Sequence, residues 1–415
     1  MTLFGNREFT LLWWAGLLTV IGHSALAIAL PVFTYGATGS TLATGLMFAA
    51  GTVPSLFGSV AGVYVDRWDR QRTLIATNLL LAAGLLPLVF SATGEIWLVY
   101  LVSFVTSSLG QFAWPAENAL LPTLVGEDDL TAANALNALN NNLGSLIGPA
   151  LGGLLMNGLG LGVIVAFCCV TFLVASLLVS LMKPRHVLAR EAGEVFTETH
   201  DVKAYRGAAG LGSVWREWRG GLRIVRTERV VFVLFVYSSV TAVGEGVMAA
   251  LFVPFVSDIL KGGAAVVGWL ISAQSVGGII GGVAVTAVAA RLPPAALLGW
   301  GAIGLGVIDA TIFNYSAFLP GVTLGLALFI AAGVSVSALE AGFLTLLQKD
   351  VGEEFLGRVF GAHSTTASLF NLVGLGIGGF LGDKLGIIPV INVQAVTYVL
   401  GGLLILISLG RLRTR

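Results

Sequence analysis

Long, uninterrupted apolar stretches alternate with short polar links along most of this chain. Each stretch has about 20 residues or more, which as an α-helix is enough to cross roughly 30 Å of hydrocarbon. Membrane β-strands would instead alternate polar and apolar residues over about ten positions. The pattern therefore predicts an all-α polytopic membrane protein with twelve transmembrane helices, at residues 9–35, 42–65, 73–92, 96–122, 131–157, 160–182, 230–257, 264–290, 294–314, 317–347, 358–383 and 387–410.

Composition agrees with a chain that lies mostly inside a bilayer. Of its 415 residues, 56% are apolar and 11% are charged, whereas soluble domains carry about 25% charged residues. The formal net charge is zero, which gives no sign of a nucleic-acid partner. The first apolar stretch is too long for a cleaved signal peptide. Cys168 and Cys169 are adjacent in one apolar stretch, which suits packing better than a disulfide or metal site, and we expect no metal and no cofactor.

The distribution of Lys and Arg predicts the orientation of the helices. A cytoplasmic N-terminus puts twenty of the twenty-two basic residues on the cytoplasmic side, as the positive-inside rule requires. Lys261 and Lys384 fall on the outer side, and the imbalance persists when the long central link is left out. We therefore expect both termini in the cytoplasm.

The two halves of the chain repeat each other. A shift of 223 residues superposes Gly45 on Gly268 and Glu117 on Glu340. Parallel six-helix repeats of this kind place a substrate site between them, near the midplane of the membrane. We predict an N-terminal six-helix bundle at 1–182, a cytoplasmic linker with an amphipathic interfacial helix at 183–229, and a C-terminal six-helix bundle at 230–415.

One link is unusually rich in charge. Residues 62–72 read Gly-Val-Tyr-Val-Asp-Arg-Trp-Asp-Arg-Gln-Arg, so that Gly62, Asp66, Arg67 and Arg70 lie close together between two apolar stretches. This Gly-x-x-x-Asp-Arg-x-x-Arg-x-Arg pattern resembles the signature loop between helices 2 and 3 of the major facilitator superfamily of transporters. The loop is specific for the superfamily, but it carries no information about the substrate.

Other segments resemble one branch of that superfamily, the bacterial drug:proton antiporters of the macrolide-efflux type, a group that also resembles enterobactin exporters. Residues 6–13 (Asn-Arg-Glu-Phe-Thr-Leu-Leu-Trp) and 112–122 (Phe-Ala-Trp-Pro-Ala-Glu-Asn-Ala-Leu-Leu-Pro) are typical of it. The fifth predicted helix resembles the antiporter signature of exporters, because glycines at i, i+4 and i+8 clear one helix face for a neighbour. Ordinary small-residue packing explains the same glycines in a chain with 55 of them. The residues of this signature are Gly144, Gly148, Pro149, Gly152 and Gly153.

The resemblance implies a secondary active transporter of the bacterial inner membrane, working as a monomer. It implies proton-coupled efflux of small amphipathic drugs or other xenobiotics by alternating access, with Na⁺ as an alternative coupling ion. Export of a dedicated metabolite such as a siderophore stays open. We expect no enzymatic activity, because the sequence has no nucleotide loop, serine elbow or metal-binding cluster. The linker is too short and too polar for the soluble domain of a receptor or scaffold.

The charged loop has a predicted partner in the fourth helix. Glu117 falls near the cytoplasmic end of that helix, level with Asp66 and Arg70. We expect these three residues to form a network that resembles the cytoplasmic gate of the family; a surface ion pair without function and a substrate contact are the alternatives. In the second half we expect Glu340 to be a structural brace paired with Arg291.

Two titratable residues fall near the middle of pseudo-equivalent helices, Glu245 and His23. A carboxylate in a low-dielectric site can load and release a proton near neutral pH, and histidine titrates in that range. Glu245 is the first candidate for proton coupling and for contact with a cationic substrate, and His23 is the second. The alternatives are a neutral Glu245 hydrogen-bonded to a neighbouring helix and a histidine held among backbone carbonyls. Further candidates are Asp309 for transport, and Phe33, Tyr35 and Trp114 as aromatic walls of the cavity.

Overall fold

The computed structural model describes residues 3–58, 64–65, 68–90, 95–126, 129–183, 225, 228–288, 291–319, 321–351 and 353–409. The predicted loop residues Gly62, Asp66 and Arg67 lie outside the described residues, as does nearly all of the predicted linker. In the described part the chain forms twelve α-helices: α1 (Arg7–Thr38), α2 (Thr41–Thr52), α3 (Arg70–Phe90), α4 (Ile96–Leu120), α5 (Leu130–Leu159), α6 (Leu161–Ser180), α7 (Arg229–Pro254), α8 (Ala264–Val288), α9 (Pro294–Asn314), α10 (Thr323–Asp350), α11 (Glu353–Leu385) and α12 (Ile387–Leu409).

Local sequence signals fix several helix ends. Asn6 caps α1, because its side chain accepts hydrogen bonds from the backbone N–H groups of Glu8 and Phe9. Gly39 ends the same helix with φ of 62°, a left-handed conformation that glycine adopts without steric cost. Pro54 opens the short 3₁₀ segment that follows α2, since proline cannot donate the backbone hydrogen bond that an α-helix needs.

Each of the twelve predicted apolar stretches contains an α-helix within its described residues, but these helices differ in length. Among the described residues, ten helical segments are long and apolar enough to cross a membrane, and Thr41–Phe57 is a shorter apolar helix. Leu130–Leu159 has the length, but its six asparagines make it more polar. The fold is thus a polytopic helical bundle, and the count of twelve crossings stays a prediction.

Helix packing repeats between the two halves. In the first half α1 packs on α5 and α6, α3 packs on α4 and α6, and α2 packs on α4. Adding six to each label gives the corresponding contacts of the second half: α7 with α11 and α12, α9 with α10 and α12, and α8 with α10. The repeat in the sequence is therefore a repeat in three dimensions.

Two large contacts join the halves, which we call the α2–α11 seam and the α5–α8 seam. We call the face of the bundle at the start of α1 and the end of α12 the terminal face, and the other the opposite face. Tyr35 donates a 2.5 Å hydrogen bond to Asp258 across the halves. These residues are 223 positions apart, which is the repeat shift itself. Because equivalent positions meet only near the pseudo-two-fold axis, this bond marks the axis at the opposite face.

Candidate functional site

A cavity of about 500 Å³ lies between the two halves. Most of its wall is apolar and comes from α1, α2, α5, α7 and α8, with smaller contributions from α9, α10 and α12. Ile28, Phe48, Met248, Phe252 and Ile271 supply the bulk of that apolar surface. The polar residues that line it are Ser24, Ser145, Glu245, Gln274, Ser275, Gln394 and Tyr398.

Glu245 of α7 is the one charged residue among the described residues that line this cavity. It lies deep in the bundle, yet its side chain is exposed to the cavity space. The hydroxyl of Tyr398 on α12 donates a 2.6 Å hydrogen bond to its Oε1 atom. The sequence analysis gave a hydrogen bond to a neighbouring helix as the alternative to proton coupling at Glu245. The structure shows such a bond in a residue that lines the cavity, and the coupling role stays a prediction.

A second carboxylate, that of Asp309, is connected to the cavity wall by a residue of α12. Asp309 of α9 is 4% exposed, and it accepts a 2.9 Å hydrogen bond from the side-chain amide of Gln394. Gln394 also lines the cavity, and its own Oε1 is buried without a partner among the described residues. Gln394 and Tyr398 are four residues apart, so one face of α12 contacts both carboxylates.

His23 does not line the cavity. Its ring lies edge-on to Phe172 of α6, with centroids 5.2 Å apart, and its Nδ1 is 3.2 Å from the carbonyl oxygen of Thr19. Its Nε2 is buried with no hydrogen-bond partner in the described part of the chain. The structure thus matches the alternative of a histidine held at a backbone carbonyl. The cavity face of α1 begins one residue later, at Ser24, Ala27, Ile28 and Pro31.

The aromatic walls also differ from the prediction. Phe33, Tyr35 and Trp114 are absent from the residues that line the cavity, whereas Phe48, Phe252 and Tyr398 line it. Tyr35 instead bonds Asp258 at the opposite face, Phe33 packs in the core of the first half, and Trp114 is 68% exposed. The wrong aromatic residues were assigned to the cavity because the rotation of each helix about its axis was unknown. A shift of one position along a helix turns a side chain by about 100°.

The predicted gate is only partly within the described residues. Arg70 donates a 2.8 Å hydrogen bond to the carbonyl oxygen of Ala119, at the end of α4. No ion pair joins Arg70 to Glu117 in the described part of the chain. Glu117 faces α1 instead, where a Cβ added at Gly16 would lie 2.7 Å from its Oε1 atom. The structure therefore brings Arg70 to the helix that carries Glu117, and the gate role stays a prediction.

The expected brace of Glu340 with Arg291 is not formed. Arg291 is exposed in the turn between α8 and α9, and no ion pair joins the two residues in the described structure. Glu340 lies along α10 and lines two pockets, one of which also includes Glu245. The expectation failed because its position on α10 turns Glu340 towards the pockets, away from the turn.

The glycines of the fifth helix serve two contacts. Gly144, Gly148 and Gly152 face α1, where an added Cβ would meet Val20, Ser24 and Ala25 respectively. Gly153 faces the start of α8, and Pro149 lines the cavity. On α11, Gly374 and Gly378 face α7 and Gly379 faces α2, in the same pattern. The signature residues therefore hold α5 against both its own half and the other half.

Sequence reasoning missed Tyr398, Gln394 and Tyr237. The first two stand four residues apart in a mostly apolar helix, which is a detectable signal for a polar face. Tyr237 gives no such signal, because a tyrosine in a membrane helix is common at the interface.

Comparisons with known proteins identify the fold and its relatives. A family model described as Major Facilitator Superfamily matches residues 12–250. Macrolide efflux protein A of Streptococcus pyogenes is 25% identical over 388 residues, covering 92% of this chain and 90% of that protein. Multidrug efflux pump Tap of Mycobacterium tuberculosis is 25% identical over 411 residues, covering 95% of this chain and 91% of that protein.

Solved structures give the same fold. A bacterial homologue of the iron transporter ferroportin, in an inward-facing state, has a TM-score of 0.75 at 17% identity, covering 98% of this chain and 99% of that one. The peptide transporter POT in complex with sulfate has a TM-score of 0.76 at 13% identity, covering 99% of this chain and 96% of that one. At these identities the likeness concerns the fold alone.

Proposed function

Because the chain belongs to the Major Facilitator Superfamily, and is thus a multi-pass membrane transporter of small molecules, we propose that it exports small amphipathic compounds by proton-coupled antiport. The observation that carries this proposal is a mostly apolar cavity, shared by both halves, with one carboxylate in its wall. An apolar wall with few polar groups suits compounds that are themselves mostly apolar. The named relatives are a macrolide efflux protein and a multidrug efflux pump, which supports export over uptake.

Alternating access is supported by the distribution of contacts between the halves. At the opposite face the side chain of Asp383 on α11 meets the start of α2, and Tyr35 meets Asp258. Along the α5–α8 seam, the hydroxyl of Ser275 donates a hydrogen bond to the carbonyl oxygen of Ser145. Nearer the terminal face, a pocket that includes Asn142, Gly282 and Glu340 lies between α5, α8 and α10. We take the terminal face to be cytoplasmic, in accord with the Lys and Arg distribution.

In this mechanism Glu245 exchanges a proton for the substrate. Its carboxylate faces the cavity and is oriented by Tyr398, so it can contact either a proton or a cationic group. An anionic siderophore would meet this carboxylate with no Lys or Arg among the described residues that line the cavity. Asp309 is a second proton carrier, reached through Gln394. The network of Asp66, Arg70 and Glu117 closes the cytoplasmic side in the outward-open state, and His23 contributes to packing of α1.

The test is ΔpH-driven efflux from proteoliposomes that contain the Glu245→Gln variant. We expect less than roughly a tenth of wild-type coupled efflux with substrate binding still measurable, because a neutral amide cannot carry the proton. Glu95→Gln is the matched control, since Glu95 accepts from Trp97 outside the cavity. A second series replaces the pH gradient by a Na⁺ gradient. Undiminished coupled efflux in Glu245→Gln would exclude this role for Glu245.

A further inference from the structure

A second pocket, which we call the side pocket, lies within the C-terminal half between α7, α10, α11 and α12. It has a volume of about 400 Å³ and meets the central cavity at Glu245 and Tyr398, which line both. Its remaining wall includes Tyr237, Glu340, Phe343 and His363. The side pocket is therefore a lateral extension of the central cavity toward the terminal face.

Charge in the side pocket is of one sign. Glu245 and Glu340 both line it and both side chains are exposed to its space. No Lys or Arg is among its described lining residues. Glu340 has no ion pair within the part of the chain that the structure describes. Two carboxylates without a basic partner leave the pocket electrostatically suited to a cation.

A buried hydroxyl in the same wall also lacks a partner. Tyr237 is 4% exposed, and its hydroxyl makes no hydrogen bond to the described residues. Leaving a buried polar group unpaired is unfavourable, and Tyr237 is one of the residues that line the side pocket. This is an observation independent of the carboxylates, and it too indicates a polar ligand group at this position.

Part of the remaining wall is aromatic. The ring of Phe343 lies 6.5 Å from that of Tyr237 and 4.9 Å from that of His363. The Nε2 atom of His363 is 2.7 Å from Ser238 Oγ, so the imidazole is already engaged. Aromatic faces attract organic cations through the ring quadrupole. A divalent metal would need more ligands, and the described residues contain no group of three or more His, Cys, Asp or Glu that could hold one.

We propose that the side pocket binds the alkylammonium end of a substrate, between Glu340 and Tyr237, while the apolar part of the same molecule lies in the central cavity beside Phe48 and Phe252. The inference rests on the proposed transport function and deepens it, because it assigns the cationic group to a site of its own. It also gives Glu340 a role in binding instead of the brace that the sequence suggested.

The experiment measures binding to the purified full-length protein in nanodiscs at pH 7.5, with no gradient. The probes are a primary dansylamidoalkyl-ammonium, whose N–H groups can donate hydrogen bonds to Glu340 and Tyr237, and its uncharged analogue, in which a methyl group replaces the ammonium. Glu340→Gln should raise the Kd of the ammonium probe roughly 10-fold or more and Tyr237→Phe roughly 3-fold, because contacts with charged groups are the stronger ones. Neither change should alter the Kd of the uncharged probe by more than about 2-fold.

Asp350→Asn is the matched control, because it removes a carboxylate from the end of the same helix α10, where the side chain is exposed. It should leave both Kd values unchanged. An unchanged ammonium Kd in Glu340→Gln, or an equal loss for both probes, would overturn the proposal. Unaltered binding of the uncharged probe also shows that each variant is folded. Proton coupling is measured as efflux in a pH gradient, whereas ammonium binding is measured without a gradient. Loss of coupling in Glu245→Gln and loss of ammonium binding in Glu340→Gln are therefore independent results.

Discussion

The α2–α11 seam and the α5–α8 seam occupy equivalent positions in the two repeats, but different chemistry closes them. At the α2–α11 seam, Asp383 accepts hydrogen bonds from Ser40 Oγ at 3.0 Å and from the backbone N–H and hydroxyl of Thr41, both at 2.9 Å. Its carboxylate thus caps the N-terminus of a helix of the other half, where negative charge is favoured. Between α5 and α11 the repeat shift is 226 residues, because Gly152 and Gly153 correspond to Gly378 and Gly379. The equivalent of Asp383 is therefore Asn157, which faces Gly263 just before α8.

Close backbone packing takes the place of charge at the α5–α8 seam. Gly268 lies against the carbonyl oxygen of Pro149, so closely that an added Cβ would overlap it. At the equivalent position Gly45, an added Cβ would lie 2.9 Å from the carbonyl oxygen of Leu375. The comparison indicates that the α5–α8 seam has the closer backbone packing, with hydrogen bonds from serine hydroxyls to backbone carbonyls, whereas hydrogen bonds to one carboxylate hold the α2–α11 seam. Under the proposed mechanism, the α2–α11 seam is therefore the easier of the two to open.

The largest effect is expected for Gly268→Ala. Overpacking costs about 1–3 kcal/mol, and the contact with a backbone oxygen puts this site at the upper end. The helix propensity of alanine acts equally in the closed and the open state, because α8 is helical in both, and so it does not offset this strain. A loss of about 3 kcal/mol lowers the closed-to-open ratio roughly 100-fold. The distance between spin labels at Leu159 and Leu385, measured by electron paramagnetic resonance with Cys168 and Cys169 replaced by alanine, reports the opening.

Gly45→Ala is the matched control on the other seam. Its looser contact costs about 1 kcal/mol of strain. The closed-to-open ratio should therefore fall only roughly 5-fold, far less than in Gly268→Ala. Equal distance changes in the two variants would contradict the conclusion that backbone packing is closer at the α5–α8 seam than at the α2–α11 seam.

These seams also show which parts of the fold are readable in the sequence. The apolar runs predict helices because a backbone in hydrocarbon must satisfy its own hydrogen bonds, and the repeat shift predicts which helices are equivalent. The bonding of Asp383 to α2 was not predictable in this way. It depends on the angle at which two distant helices meet, and a local pattern carries no record of that angle.

The candidate site also has residues that the sequence predicts and residues that it does not. The position of Glu245 in the cavity wall was predictable, because a carboxylate inside an apolar stretch is costly in lipid and is expected to face the interior of the bundle. His23 was assigned to the cavity, yet Ser24 lines it. Helix α1 is apolar on all sides, since it contacts α5, α6 and the cavity, and no amphipathic stripe sets its rotation. Where rotation is undetermined, neighbouring residues cannot be told apart by sequence alone.

A smaller effect is expected for Asp383→Ala at the α2–α11 seam. Replacing a helix-capping side chain by alanine costs about 1 kcal/mol, and Asp383 is exposed, which limits the electrostatic part. The same pair of spin labels should show an increase of roughly 5-fold in the open population. Asn157→Ala, the equivalent change on the other seam, should leave the populations unchanged. A larger opening in Asn157→Ala than in Asp383→Ala would reverse the assignment of the two seams.

The smallest effect is expected on the axis between the seams, for Tyr35→Phe. The change removes one hydrogen bond to Asp258, and because Asp258 is exposed its carboxylate is solvated by water once the hydroxyl is gone. A loss of about 0.5 kcal/mol follows, which is roughly a 2-fold change in the spin-label populations. Asp258→Asn should weaken the same bond. The double variant tests the pairing: if the two residues act through one bond, it opens no further than the more affected single variant, whereas additive opening would show that each acts through other contacts.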